Sequence, residues 1–285
     1  MKNLKFLFWI FLAVAVSLTA CSKDDDDYDD DNGDQDNGNG SGEVSTDADT
    51  VAVANRVVWF RFTESDEDEE GHTTTGSNVQ YTTDRYGNSA SAYKGSANSS
   101  IVITDPDDLR LSSMTVSMWL RAQQLDGGTN FIISFIDPEM DWNAGYAIWQ
   151  EGSQRGDTLR YKAVTRHHES DFFAWTDTDW GDLRDVLFPS SRWFHFAYVY
   201  NGENSVRDMY LNGLQVANDT LTAEGTYMGP ITVPESAGFF YVGKNPNTAQ
   251  EWIGNYQGDL DDLRIFDIPL SPEQIEFIYD AEKPE

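Results

Sequence analysis

Cysteine is almost missing from this chain. Cys21 is the only one among 285 residues, so no disulfide can form within the molecule. Basic residues are scarce too. Lys and Arg number 19 against 49 Asp and Glu, and the formal net charge is -30. Gripping a phosphate backbone takes clusters of Lys and Arg, so this balance argues against a nucleic-acid partner. Long apolar runs are also lacking. The one that exists, residues 6–18, is short for a comfortable membrane span. Neither H-E-x-x-H nor G-x-S-x-G occurs, and no Gly-rich phosphate loop follows a strand. His167 and His168 fall in a loop and His195 in a strand, without the spacing of a zinc site.

What is present begins with a targeting segment. Lys2 and Lys5 precede the apolar run, and small residues follow it. This is the order of a signal peptide, here residues 1–20. Leu18-Thr19-Ala20-Cys21 resembles the lipobox of bacterial lipoproteins, which implies cleavage before Cys21 and lipidation of that cysteine. Residues 21–50 then hold Asp24 to Asp27, Asp29 to Asp31 and a run of Asn, Gly, Asp and Ser. Almost nothing there could be buried, so a disordered, self-repelling tether is expected. Its Ser-Lys-Asp-Asp start resembles the export signal of surface lipoproteins in Bacteroidota. That implies a lipid anchor in the outer membrane with the domain facing the exterior, beside possible surface glycan-uptake proteins. A plain solvated spacer is the alternative reading.

Residues 51–285 read as one domain rich in short strands. Its centre is 193–213. Phe194, Phe196, Tyr198 and Tyr200 alternate with Trp193, His195, Ala197 and Val199. Aromatic and β-branched residues on both faces predict a strand covered on both sides. Residues 201–205 supply a turn, 206–211 a second strand, and Asn212-Gly213 a tight turn of positive φ. Further strands are predicted at 56–63, 100–103, 115–121, 130–136, 145–150, 158–165, 239–243 and 256–266, with 166–184 as a polar, aromatic-rich loop. Ser271, Pro272 and Gln274 predict the start of a short C-terminal helix, with Ile275, Ile278 and Tyr279 on its apolar side. The pattern is all-β, a sandwich or jelly roll.

Several segments resemble, in order, the LamG-like members of the concanavalin A-like jelly rolls. They are Val58 to Phe62, Asp84-Arg85-Tyr86-Gly87-Asn88, Thr115 to Leu120, Trp193-Phe194-His195-Phe196-Ala197 and Tyr210-Leu211-Asn212-Gly213. Tyr241-Val242-Gly243, residues 258–266 and the Pro269 to Ile275 helix start complete the series. The resemblance implies a β-sandwich of two antiparallel sheets. It leaves function open, because the fold hosts lectins, hydrolases and spacers.

Three constellations could carry chemistry. The E-x-D-x-x-E string of laminarinase-type hydrolases occurs once, at Glu64, Asp66 and Glu69. Ser65, Glu67 and Asp68 between them would charge both faces of a strand, so a solvated acidic loop is expected there, and a binding module is favoured over an enzyme. Asp261 alternates with Leu263 and Ile265, which places it beside the core and asks for a counter-charge. The resemblance implies a structural Ca²⁺ at that position; Lys94 departs from the family pattern, and an ion pair, for example with Arg85, answers the same need. Last, Trp142, Trp175, Trp180 and Trp252 lie among Asp, Asn, Gly and Gln, with Asp177 and Asp179 close in sequence. Indole stacks on the C–H face of a sugar while Asp and Asn take hydroxyls, so these six residues are the expected carbohydrate-binding set. A cell-surface lipoprotein that captures poly- or oligosaccharide is the leading reading, ahead of a glycoside hydrolase or a structural, protein-binding module.

Overall fold

A computed structural model of the chain describes residues 47–122, 129–152, 159–167, 173–177, 192–223, 226–247 and 249–285. All lie in the compact unit Val44–Glu285. Cys21, Asp179 and Trp180 lie outside the described residues.

The first sheet contains eight strands. They are β1 (Arg56–Phe60), β3 (Tyr81–Thr82), β4 (Ala92–Lys94), β6 (Met114–Arg121), β11 (Phe194–Asn201), β12 (Val206–Leu211), β13 (Leu214–Thr220) and β18 (Asp259–Phe266). Their order is β13-β12-β11-β6-β18-β4-β3, with β1 also on β18. The second sheet contains β2 (Thr74–Ser77), β5 (Ser100–Ile103), β7 (Thr129–Ile136), β8 (Gly145–Gly152), β9 (Leu159–Arg166), β10 (Phe173–Asp177), β16 (Phe240–Val242) and β17 (Ile253–Asn255). It runs β10-β9-β8-β7-β16-β5-β2, and β17 joins β7 as a parallel pair. A small ribbon of β14 (Thr222–Ala223) and β15 (Thr226–Tyr227) stands apart. This is the expected all-β jelly-roll sandwich, closed by one helix, α1 (Pro272–Glu282).

The central hairpin forms as its alternation predicts. Tyr198 faces Met209 across β11 and β12, and Phe196, Tyr198 and Tyr200 enter the core between the sheets. Ala197 and Val199, on the opposite face, pack under α1 with Tyr210, Phe266, Ile275 and Ile278. Asn212 and Gly213 have φ of 50° and 76°, the left-handed pair that a two-residue hairpin turn requires. The helix starts with the expected capping box between Ser271 and Gln274.

Three readings change. Residues 166–184 are not all loop: Phe173–Asp177 forms β10, the edge of the second sheet, where alternating aromatics suit a strand. The folded unit starts before Val51, because Asp47–Thr50 is a 3₁₀ turn with Ala48 buried and Asp49 paired to Arg264 at 2.9 Å. Finally, Asp261 does not share a face with Leu263 and Ile265. Asp262 adopts φ 47°, a bulge that shifts the register of β18 against β6 and reverses the alternation. Leu260, Leu263 and Ile265 then point into the core, and Asp261 joins the face of Arg264 under the helix.

Candidate functional site

The outer faces of the two sheets differ in kind. On the first sheet, the side chains brought outward by the Asp262 bulge form a closed charge network. Arg85 reaches Asp261 and Asp262, each at 2.6 Å, and Arg264 pairs with Glu282 at 2.6 Å. The Trp119 indole donates to Glu282 at 2.8 Å, and the Trp59 indole to Asp262 at 3.1 Å. Arg85 Nε and the Tyr86 hydroxyl both donate to the Glu282 carbonyl, which satisfies an acceptor left open at the end of α1. Asp84 holds that loop by accepting from the backbone N–H of Tyr86 and of Asn88, both at 2.8 Å. The Asp84-Arg85-Tyr86-Gly87-Asn88 motif is thus a clasp for the C-terminal helix.

Burial raises the pKa of Asp261 above the usual carboxylate range, against the pull of Arg85. Burial acts the same way on Asp262, but Arg264 and Arg85 outweigh it and hold that carboxyl below its ordinary value. The counter-charge that Asp261 requires is therefore a guanidinium. With Arg85 seated on it, this position does not offer Ca²⁺ the oxygen-only surroundings that ion takes. Among the described residues no group of three His, Cys, Asp or Glu is placed to hold a metal. His195 is buried beside this network, with Nε2 2.8 Å from the Ser117 hydroxyl. Burial, with Arg264 and Arg85 nearby, pushes its pKa down to about 3, so it is a neutral packing residue.

The acidic string lies in turns and coil between β1 and β2, not on a strand. Glu64 and Glu69 are exposed, but Asp68 is buried, unlike the solvated loop expected. Its carboxylate accepts from the Trp59 backbone N–H at 2.6 Å and meets His72 Nδ1 at 2.5 Å. His72 Nε2 lies 2.9 Å from Asp108.

The second sheet turns a different face outward. Phe131, Ala147, Trp149 and Val164 form a small apolar cluster there, with Trp142 and Ile253 packed against it. Trp142 and Trp252 meet edge to face at 5.2 Å, Trp142 and Trp149 at 5.6 Å, and Phe131 stacks on Trp149 at 5.4 Å. Trp149 is 2% exposed and Trp252 is 39% exposed, so the cluster has a buried base and an open rim. Loop contacts fix it: Asn245 donates to the Trp142 carbonyl at 3.0 Å, and Asn247 to the Pro138 carbonyl at 3.3 Å. Gly243, at φ 79°, turns the chain off β16 into the segment that carries Trp252. A side chain there would also strike the Tyr93 hydroxyl at 2.6 Å.

Two of the six expected residues, Trp142 and Trp252, are therefore in contact. Backbone register adds two more positions. Trp175 pairs with Val164, which pairs with Ala147, and Asp177 pairs with Lys162, which pairs with Trp149. Direct antiparallel partners share a face, so 175 and 177 belong to the face of the cluster. The sequence reading missed Trp149 and Phe131, whose strands look like ordinary core. The only hint was aromatic residues on both faces of β7 and β8. Glu151 accepts from the Trp149 indole at 2.7 Å and pairs with Lys162 at 3.0 Å, so the carboxylate touching the cluster is already committed.

A β-sandwich with this order of motifs defines a lectin-type domain. The chain belongs to the concanavalin A-like lectin/glucanases superfamily, whose laminin G-type family model matches residues 94–276. Among solved structures it is similar to the receptor binding domain of botulinum neurotoxin C/D mosaic serotype, at 15% identity and TM-score 0.57 over 80% of this chain and 52% of that one. The serotype D ligand binding domain in complex with N-acetylneuraminic acid matches at 16% identity and TM-score 0.57, over 82% and 53%. The DC binding domain in complex with rat synaptotagmin II matches at 13% and 0.54, over 80% and 52%. The chain spans about half the length of these toxin domains, and at such identities the likeness is one of fold. No curated protein shows significant similarity to the chain.

Proposed function

We propose that this domain captures glycan on the outer face of its second sheet and does so without cleaving it. One observation carries the reading: Trp252 stands partly exposed on a base of Trp142, Trp149 and Phe131, held by two asparagine-anchored loops. An indole fixed in this way presents a flat apolar surface at little entropic cost, which is what the C–H face of a sugar needs. The positions of Trp175 and Asp177 widen the same face, and Asp179 and Trp180 follow in the chain. The toxin domains support a ligand-binding role by analogy, one being solved with a sialic acid and another with a protein receptor. Stacking sites of this kind are weak singly and gain from many copies on a surface. That suits a lipoprotein anchored through Cys21 in the outer membrane, facing outward on its acidic tether and serving surface glycan-uptake proteins.

A glycan array with the full chain and Trp252→Ala tests this. The account predicts binding by the parent and at least a tenfold loss in the variant, about 1.4 kcal/mol, with the melting midpoint nearly kept. Equal binding by the variant would move the site elsewhere. Release of shorter sugars from bound glycans would establish a hydrolase instead. Mass spectrometry of membrane-extracted protein should show a diacylglyceryl adduct on Cys21, and a soluble species starting at another residue would refute the anchor.

A further inference from the structure

An open cleft of about 680 Å³ lies at the far end of the second sheet, between the ends of β2 and β5, the 96–98 turn and the segment that begins at Lys244 and ends at Asn255. Its chemistry is unlike the rest of the chain. Side-chain amides and hydroxyls line it, with Lys244 as the only charge and no carboxylate, although the chain holds 49 acidic residues. Asn78 and Asn255 spend an amide N–H on the carbonyls of Asn98 and Ser99, each at 3.1 Å, which leaves their amide oxygens toward other donors. Gln80, Asn98 and Ser77 make no side-chain hydrogen bond to any described residue. Lys244 Nζ lies 5.9 Å from the centre of the Tyr241 ring and has no carboxylate within pairing distance among the described residues. Arg56, Arg85, Arg121, Arg207 and Arg264, by contrast, are each paired with Asp or Glu.

A half-buried ammonium with no carboxylate partner among the described residues, set among amides that keep free donors or acceptors, is a site for an anionic group carried on a hydroxylated body. The same segment that supplies Lys244 and Asn255 also supplies Trp252, three residues before Asn255. Extended chain covers ~10 Å over that distance, so one saccharide chain reaches both. We infer that the cleft binds an acidic sugar, its carboxylate on Lys244 and its hydroxyls on the surrounding amides, next to a residue stacked on Trp252. This rests on the glycan-capture reading and names the class of glycan. The negative net charge opposes anions at long range, but beyond ~8 Å such fields are screened at physiological salt. The contact with Lys244 acts inside that distance.

Calorimetry on the full chain at physiological salt tests it. Uronic acid hexamers of galacturonate, glucuronate and mannuronate are each compared with the neutral hexamer made by reducing the carboxyl groups. At least one uronate should bind tenfold or more tighter than its neutral counterpart. Lys244→Gln should erase the difference, with neutral binding kept, and Lys244→Arg should retain it. A parent that binds neutral hexamers as tightly as the acids, or a Lys244→Gln variant that keeps the preference, overturns the inference while glycan capture stands. Trp252→Ala separates the two claims, since it should weaken acidic and neutral ligands alike. If the parent binds neither kind here, the inference fails, and the array decides the wider reading.

Discussion

The two sheets of this sandwich carry opposite outer faces, and the contrast shows where recognition is placed. On the first sheet, α1 buries Ile275 and Ile278 against Ala197, Val199 and Phe266, and beside them every long charged side chain is spent on a partner. Each such apolar side chain contributes about 1.5–3 kcal/mol when fully buried. Glu282 sits in the last turn of α1, where the helix dipole disfavours an acid, and it stays because Arg264, Arg85 and Trp119 converge on it. Burial raises its pKa, Arg264 opposing. No described helix covers the second sheet. There the aromatic side chains stack on one another with Trp252 at the rim, and in the cleft Asn78 and Asn255 use an amide N–H on a carbonyl while Lys244 pairs with no carboxylate of the described residues. One face pairs its charged side chains with one another; the other turns aromatic and polar groups outward.

The largest expected effect comes from breaking the closed face. Arg264→Ala leaves the buried Glu282 without its nearest cation and takes a second cation from Asp262, which keeps Arg85; this should cost about 3–5 kcal/mol in denaturant unfolding. A loss below about 1 kcal/mol would mean that helix burial alone holds this face. A smaller effect follows from pH. Asp68 and Asp108 clasp His72 and, against the cost of burial, raise its pKa to about 9. The folded value exceeds the ordinary 6.5, so the protonated ring stabilises the fold. That contribution is complete below about pH 6.5 and is lost as pH rises through 9. It should amount to about 1 kcal/mol, since Asp108 is exposed and screened. His72→Gln should flatten melting curves between pH 6.5 and 9; an unchanged slope would assign the pH dependence elsewhere. The smallest effect expected is none. A chelator should leave the melting midpoint where it is, because Arg85 supplies the charge at Asp261. A chelator-dependent fall that Asp261→Ala removes would bring back the calcium site.

Much of the closed face was legible in the sequence. Strict alternation in 193–200 placed both faces of β11, and Ser271, Pro272 and Gln274 located the start of α1. Asp261 was misplaced for a definite reason. Side-chain direction in a strand has period two, so a single left-handed residue at Asp262 reverses every assignment before it, and nothing in Asp-Asp-Leu-Arg announces the bulge. The open face was legible only in part. Trp142 and Trp252 stood out because polar residues surround them, whereas Trp149 and Phe131 look like core in their strands and join the site by register. The cleft was invisible because its lining comes from segments near 77, 97, 244 and 255, which only the fold brings together. Local pattern reveals elements; it does not reveal which distant loops share an edge.

The central claim is that the outer face of the second sheet, centred on Trp252, is where this protein meets glycan. A crystal of the full chain soaked with an oligosaccharide that the array selects tests it most directly. The account predicts a sugar ring stacked on Trp252, with the chain continuing toward Asn255 and Lys244. A sugar bound against α1 and the Asp84–Asn88 clasp, with Trp252 bare, would contradict it.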